Sequence, residues 1–171
     1  MVGFGDDMEQ ATRNPDENLL AFLGKFEEEN LVLNLEKLHL RKTSVPFIGH
    51  MATSEGLKPD QAKVKAIMEM PAPKDVAGVQ RLLAMVQYLS KFLPHLSDLT
   101  KPLRDLLKKG TEWWWGESHE ESLRRIKHAV CSTPVLRYYS LNDEVMLQCD
   151  ASQFGLGAAL LQNGQPVTFA S

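Results

Sequence analysis

The sequence predicts an α+β fold in which helices and short strands precede a β-meander. Residues 16–130 contain several segments with apolar side chains at helical spacing, each bounded by a capping residue, a proline or a glycine. Residues 145–149 instead alternate with a period of two, and Asn163-Gly164 supplies the turn of a two-residue hairpin. Helices and strands that are segregated along the chain are typical of α+β domains.

Five helices follow from the helical spacing. The third, residues 76–93, is predicted to be the longest, with Asp75 as its N-cap. A capping box of Ser118 and Glu121 is expected to begin the last helix, which runs to Val130. The other predicted helices are residues 16–29, 60–70 and 97–108.

Strands are predicted in two places. Residues 45–50 and 51–53 resemble a short strand pair that turns at Gly49. In the meander, Asp150 stands at the end of the first strand, and residues 166–170 form the third. Two-metal hydrolysis needs several acidic ligands around ions about 4 Å apart. Because no acidic residue follows Asp150, we expect it to bind a divalent cation only weakly and to support no hydrolysis.

The composition fits a globular protein. The chain has 171 residues, 43% of them hydrophobic, and no apolar run approaches the ~20 residues of a membrane span. Met1–Asn14 lacks the basic start and apolar stretch of a signal peptide. Two cysteines, Cys131 and Cys149, form no disulfide framework. We therefore expect an intracellular location, cytoplasmic or nuclear, and no membrane partner.

The net charge of −3 is unevenly distributed. Residues 37–110 carry thirteen basic and six acidic side chains, whereas residues 1–36 carry two and nine. Residues 111–171 carry four basic and seven acidic ones. A basic segment between acidic flanks indicates an anionic partner. The alternative is an ordinary lysine-rich helical surface facing solvent.

A series of short motifs occurs in a fixed order along nearly the whole chain. The main ones are Val45-Pro46-Phe47-Ile48-Gly49-His50, Pro71-Ala72-Pro73, Val79-Gln80-Arg81-Leu82-Leu83, Thr133-Pro134-Val135-Leu136 and Cys149-Asp150-Ala151-Ser152. In this order the chain resembles the reverse transcriptase–ribonuclease H region of gypsy-type long-terminal-repeat retrotransposons and retroviruses.

The resemblance implies three parts. Residues 1–54 match the C-terminal end of a reverse transcriptase palm with a primer-grip-like hairpin, residues 55–110 match a helical thumb, and residues 111–171 match a connector helix and a truncated RNase H-like domain. The family's enzymes are RNA-directed DNA polymerases and ribonucleases H that use Mg²⁺. Asp150 matches only the first carboxylate of the RNase H site, so we expect the chain to be catalytically incomplete, with no functional cofactor.

The resemblance also implies an interface for a template–primer duplex, either RNA/DNA or DNA. The residues that match the primer-gripping turn are Phe47, Ile48, Gly49 and His50. Gln80, Ala84 and Tyr88 share one helix face because they are spaced four residues apart, and they match the face that tracks the minor groove. An amide donates to bases, a small residue permits close approach, and an aromatic ring stacks. Ala84 replaces the family's usual glycine, and its methyl group is expected to weaken a close contact.

Three other patterns in the sequence give weaker evidence for a functional site. Phe4-Gly5-Asp6-Asp7 looks like the metal-binding turn of the polymerase site, but no apolar strand flanks it on each side, so we predict a polar turn. His128, Cys131 and Cys149 lack zinc-ligand spacing, as do His39 and the other histidines. Cys131 is expected to be buried in its helix. Trp113–Trp115 is expected to pack in the core rather than stack on bases.

Two alternatives to a duplex-binding retrotransposon product stay open. One is a host-retained protein-interaction module that self-associates or pairs through an exposed edge of the RNase H-like sheet, since an uncovered sheet edge invites pairing. The other is a partial gene model of an active RNA-directed DNA polymerase and ribonuclease H. Salt dependence of duplex binding distinguishes the first alternative from a nucleic-acid-binding role.

Overall fold

The computed structural model describes residues 15–34, 36, 42–153 and 155–171. They belong to two units, residues 1–41 and residues 42–171. In the first unit, α1 (Pro15–Glu28) confirms the first predicted helix, with two acidic residues in its first turn, where the helix dipole favours them. The predicted polar turn at Phe4-Gly5-Asp6-Asp7 and the residue His39 lie outside the described residues.

The second unit begins with an antiparallel sheet of three strands, which we call the first sheet. Its strands are β1 (Ser44–Phe47), β2 (His50–Thr53) and β3 (Gly56–Pro59), in that order. The strand pair β1–β2 confirms the prediction, with Phe47 opposite His50 at the turn. β3 was not predicted, because a four-residue strand that begins with glycine and ends with proline shows no clear alternation.

Four helices follow: α2 (Gln61–Glu69), α3 (Val76–Tyr88), α4 (Leu96–Asp105) and α5 (Glu117–Cys131). Asp60 caps α2 by accepting from the Ala62 N–H at 2.9 Å, and Asp75 caps α3 by accepting from the Gly78 N–H at 2.6 Å. The prediction that α3 is the longest helix is wrong. It ends at Tyr88, where the chain tightens into the 3₁₀ turn Ser90–Phe92, and α5 is longer.

The predicted capping box of α5 is also wrong. The helix begins earlier, with Gly116 as its N-cap, and the Gly116 N–H donates to His119 Nδ1 at 3.0 Å. His119 therefore takes the place that a Glu or Gln holds in the usual capping box. Glu117 and Glu120 lie in the first turn, where they complement the helix dipole.

The second sheet is the predicted β-meander. Its strands are β4 (Met146–Ser152), β5 (Gly155–Gln162) and β6 (Gln165–Ala170), in that order and antiparallel. Asn163 and Gly164 have φ values of 52° and 73°, which confirms the hairpin turn. Asp150 lies within β4, opposite Gly157, and not at the strand's end as predicted.

One hydrophobic core joins the four helices of the second unit. Phe169 of β6 packs against this core, so the second sheet is attached to the helices by its third strand. None of the described helices is long and apolar enough to cross a membrane. The buried core residues are Ile67, Val79, Leu82, Val86, Leu89, Phe92, Leu93, Leu96, Leu103, Leu106, Leu123, Ile126, Val130 and Leu136.

Two consecutive residues after α5 connect the sheets through their backbones. Leu136 exchanges both backbone hydrogen bonds with Leu57 of β3, at 2.7 and 3.0 Å. The next residue, Arg137, donates its N–H to the Pro166 carbonyl of β6 at 2.9 Å. Leu136 and Arg137 therefore tie the first sheet to the second.

Candidate nucleic-acid interface

The β1–β2 turn is the first part of the predicted interface. Its central residues, Ile48 and Gly49, both have positive φ, at 45° and 71°. This combination matches the right-handed twist of a hairpin, but a β-branched residue such as Ile48 is strained there. Phe47 and Ile48 are exposed, Ile48 by 76%. The turn thus presents two apolar side chains outward.

Tyr88, at the C-terminal end of α3, holds this turn. Its hydroxyl donates to the Ile48 carbonyl at 2.7 Å. A Cβ placed on Gly49 would lie only 1.3 Å from the Tyr88 hydroxyl oxygen. Position 49 therefore requires glycine twice over, because of its positive φ and because Tyr88 fills the space beside it.

His50 is buried beneath the turn, with 6% exposure. Its ring stacks on Tyr88 with centroids 5.1 Å apart and meets Phe92 edge-on at 5.2 Å. Burial lowers the pKa of His50, and the positive charges of Lys91 and Lys63 lower it further. The imidazole is therefore neutral at pH 7, and within the described part of the chain its Nδ1 has no hydrogen-bond partner.

The second part of the predicted interface lies on α3. Gln80, Ala84 and Tyr88 are all exposed, on the side away from the buried Val79 and Leu82. The hydrogen bond from Tyr88 to Ile48 brings this line of residues to the β1–β2 turn. All seven predicted interface residues thus belong to one region of the second unit, and their role in binding stays a prediction.

Two lysines beside this region were not predicted. Lys63 of α2 places its Nζ 4.6 Å from the centroid of the Tyr88 ring, a cation–π contact. Lys91 lies in the 3₁₀ turn that follows α3, and both lysines act electrostatically on His50. The helical spacing put Lys63 on the polar side of α2, but nothing in the sequence showed that this side faces Tyr88.

The predicted carboxylate Asp150 lies apart from this region, on β4. Its side chain is exposed, and its Oδ2 is 3.8 Å from Nδ1 of His95, the N-cap residue of α4. Nearby, the Ser152 hydroxyl donates to Asp98 of α4 at 2.6 Å. The N-terminus of α4 therefore contacts β4 beside the candidate metal ligand.

The residues around Asp150 do not fit Mg²⁺. Magnesium prefers six oxygen ligands in octahedral geometry, whereas the charged or titratable side chain that pairs with Asp150 Oδ2 is the imidazole of His95. In the described residues no three His, Cys, Asp or Glu side chains are grouped so as to hold a metal ion. This finding covers His128, Cys131 and Cys149.

The prediction that Cys131 is buried is wrong, since it is exposed beside Met68 at the surface of α5.

The tryptophan block is divided between core and surface. Trp113 and Trp115 are partly buried against the core and stack on each other with centroids 6.2 Å apart. Trp115 also donates its indole N–H to Glu120 at 2.9 Å. Trp114 is exposed instead, so the predicted packing role applies to two of the three rings.

Sequence comparison identifies relatives of the chain. Residues 115–171 match the model of the RNase H-like domain found in reverse transcriptase. The Transposon Tf2-3 polyprotein of Schizosaccharomyces pombe is 34% identical over 140 residues, which is 82% of this chain and 10% of that polyprotein. The Tf2-4 polyprotein of the same yeast matches equally well. The chain thus spans about a tenth of the length of these curated relatives.

Solved structures show the same fold. A foamy viral protease-reverse transcriptase in complex with double-stranded DNA superposes with a TM-score of 0.79 and 22% identity, over 93% of this chain and 29% of that one. The foamy viral enzyme in complex with an RNA/DNA hybrid gives a TM-score of 0.78 and 21% identity, over 93% of this chain and 23% of that one. The sequence relatives assign the chain to the reverse transcriptase region of retrotransposon polyproteins, with an RNase H-like domain sequence at residues 115–171.

Proposed function

We propose that this chain binds a template–primer duplex, RNA/DNA or DNA, through the β1–β2 turn and the exposed line Gln80, Ala84 and Tyr88 of α3. The observation that carries the proposal is the hydrogen bond of 2.7 Å between the Tyr88 hydroxyl and the Ile48 carbonyl. It makes one continuous surface from two elements that the sequence resemblance linked to nucleic acid separately.

The chemistry of this surface suits a duplex. Gln80 offers an amide to base or sugar edges, and Ala84 is small enough for the helix to approach a groove, although less closely than a glycine would allow. Lys63 and Lys91 supply positive charge at the turn, where a phosphate backbone would pass. Foamy viral enzymes of the same fold have been solved with double-stranded DNA and with an RNA/DNA hybrid.

Binding of labelled RNA/DNA and DNA duplexes, measured by fluorescence anisotropy between low and moderate salt, tests the proposal. Each phosphate contact contributes about −0.9 to the slope of log affinity against log salt. Lys63→Ala and Lys91→Ala are each expected to weaken binding and to reduce the slope by about one. Lys65→Ala is the matched control, because Lys65 is exposed on α2 and pairs with Glu69.

Three outcomes would contradict the proposal. The first is an absence of duplex binding at low salt, and the second is binding that does not weaken as salt rises. The third is binding that loses as much with Lys65→Ala as with Lys63→Ala, because Lys63 would then be an ordinary solvated lysine.

We also propose that the described residues do not hydrolyse RNA, because Asp150 offers one carboxylate where two-metal chemistry requires several. We propose as well that residues 1–54, 55–110 and 111–171 correspond to the family's palm, thumb and RNase H-like parts. A hybrid cleavage assay with Mg²⁺ tests the catalytic statement. Cleavage by the purified chain that is lost in Asp150→Asn would overturn it.

A second candidate function rests on β4. All seven of its residues are exposed, and it is an edge strand whose outer side pairs with no other strand of the described residues. Met146 and Leu147 are each 63% exposed. An open strand with apolar side chains is suited to pair with a second copy of the chain. This candidate uses the edge of the first meander strand, whereas the sequence alone pointed to the third, whose Phe169 packs against the core.

Sedimentation velocity over a range of concentrations tests this second candidate. Leu147→Lys is expected to abolish a concentration-dependent dimer, because a charged edge opposes strand pairing. Leu156→Lys is the control, since Leu156 is exposed but lies on the central strand β5. A monomer at all concentrations, or equal effects of the two variants, would rule out pairing through β4.

A further inference from the structure

The conformation of the β1–β2 turn must be stabilised by contacts from outside the hairpin. Ile48 is a β-branched residue at φ 45°, in the left-handed region that such residues avoid. Strain of this kind persists only where surrounding contacts enforce it. The hairpin itself is short, with four residues in each strand. Contacts of the turn with the rest of the molecule therefore decide how firmly its shape is kept.

Tyr88 makes those contacts. Its hydroxyl donates to the Ile48 carbonyl and lies against the Cα of Gly49, where a Cβ would be 1.3 Å away. The hydroxyl thus fixes the orientation of the peptide between Ile48 and Gly49. The orientation of that peptide determines the direction in which the exposed side chains of the turn point.

The ring of Tyr88 is also engaged within the chain. His50 stacks on it with centroids 5.1 Å apart, and Lys63 Nζ lies over it at 4.6 Å. The phenol is therefore held in place by packing while its hydroxyl holds the turn. A tyrosine that served only as a stacking platform for bases would have no need of a hydroxyl.

We propose that Tyr88 is a positioning residue of the duplex interface, whose hydroxyl locks the Ile48-Gly49 turn so that Phe47 and Ile48 stand ready to contact nucleic acid. This inference rests on the proposed duplex binding. It assigns to the hydroxyl a role separate from any stacking by the ring. Without the lock, the turn must be ordered when duplex binds, and the cost of that ordering lowers affinity.

The decisive variant is Tyr88→Phe, which keeps the ring and removes the hydroxyl. A hydrogen bond of ordinary net strength corresponds to a change of about two- to tenfold in an equilibrium constant. Tyr88→Phe is therefore expected to weaken duplex binding by about that factor. In the free protein, amide hydrogen exchange at Gly49 and His50 is expected to accelerate by a similar factor.

Tyr138→Phe is a matched control. The Tyr138 hydroxyl also donates to a carbonyl of the first sheet, that of Thr53, at 3.0 Å, but the bond lies at the opposite end of β2. Its loss should leave duplex affinity and exchange at the β1–β2 turn unchanged. Thermal unfolding of both variants shows whether their overall stabilities match, which separates a local effect from a general one.

The outcomes distinguish this inference from the proposed function. If the unmodified chain binds no duplex, the proposed function fails, while the exchange rates at Gly49 and His50 still decide whether the hydroxyl locks the turn. If Tyr88→Phe binds duplex as well as the unmodified chain, with unchanged exchange, the positioning role is overturned. The positioning role also fails if Tyr88→Ala weakens binding and Tyr88→Phe does not, since the ring alone would then matter.

Discussion

The side chain of Gln162 and the backbone of Ser140 form a reciprocal pair of hydrogen bonds. Gln162 Oε1 accepts from the Ser140 N–H at 2.9 Å, and Nε2 donates to the Ser140 carbonyl at 2.7 Å. Nε2 donates as well to the Asp143 carbonyl at 3.0 Å. The amide is fully buried. In the loop that leads into β4, its hydrogen bonds take the place of those that a neighbouring strand would make to the backbone.

Removing this amide is expected to destabilise the second unit. Gln162→Ala removes three hydrogen bonds to the half-buried backbone groups of Ser140 and Asp143, and each bond of ordinary net strength contributes about 0.5–1.5 kcal/mol. We expect a loss of about 2–4 kcal/mol in the free energy of unfolding, measured by urea titration. Gln165→Ala, three residues away and exposed, is expected to change it by less than about 0.5 kcal/mol. Equal losses in both would show that the amide network contributes nothing.

Gly49→Ala and Gly110→Ala separate backbone strain from steric exclusion. Both glycines have positive φ, at 71° and 84°, so both alanines incur a conformational cost of about 1 kcal/mol. Apart from its own chain neighbours, no atom of the described residues lies within 4 Å of a Cβ at position 110, whereas the Tyr88 hydroxyl occupies that space at position 49. We expect Gly49→Ala to lose about 2 kcal/mol more than Gly110→Ala in chemical unfolding. A difference near zero would mean that Tyr88 moves aside without cost.

His50 makes the stability of the second unit depend on pH. Its pKa is lowered by burial, then by Lys91 and Lys63, with Asp60 acting weakly in the opposite direction. The unfolded chain therefore binds a proton more readily than the folded one between the lowered pKa and about 6.5, and stability falls as pH falls through that range.

The pH effect is measurable as the difference in unfolding free energy between pH 7.5 and pH 5. His50→Phe retains an aromatic ring but cannot titrate, so we expect a smaller difference in this variant than in the unmodified chain. His128→Gln removes an exposed histidine and serves as the control. An unchanged difference in His50→Phe would place the pH dependence elsewhere.

Lys127 fastens α5 to the end of α2. Its Nζ donates to the Met70 carbonyl at 2.6 Å, which satisfies a group at the C-terminus of α2. Lys127→Met keeps the apolar stem and removes the donor, and we expect a loss of about 1–2 kcal/mol in unfolding free energy. Arg125→Met, on the exposed side of α5, should have little effect. The measurement is thermal or urea unfolding of the two variants side by side.

Much of the local structure could be predicted because its causes lie within a few residues. The N-caps Asp60 and Asp75 bond to amides two or three residues away, and Asn163-Gly164 determines its own turn. The shared face of Gln80, Ala84 and Tyr88 follows from helical geometry alone. These features need no knowledge of what the elements pack against.

The features that sequence reasoning missed depend on distant contacts. Tyr88 meets Ile48 across 40 residues of chain, and the position of Lys63 over the Tyr88 ring depends on how α2 packs beside α3. β3 is a strand because it pairs with β2 and with Leu136, not because of its own pattern. The prediction of the α5 cap was wrong for a different reason. His119 accepts the hydrogen bond from the N-cap N–H, a role for which the expected residue is Glu or Gln.

The backbone bonds of Leu136 and Arg137 have a consequence for dissecting the molecule. A piece that stopped at residue 110 would keep β3 but lose its outer partner, exposing the N–H and C=O of Leu57 that Leu136 now satisfies. A piece that started at residue 111 would likewise lose β3, the strand to which Leu136 is hydrogen-bonded. The segments on either side of residue 110 thus share one folding unit, and residues 42–171 should melt in a single cooperative transition.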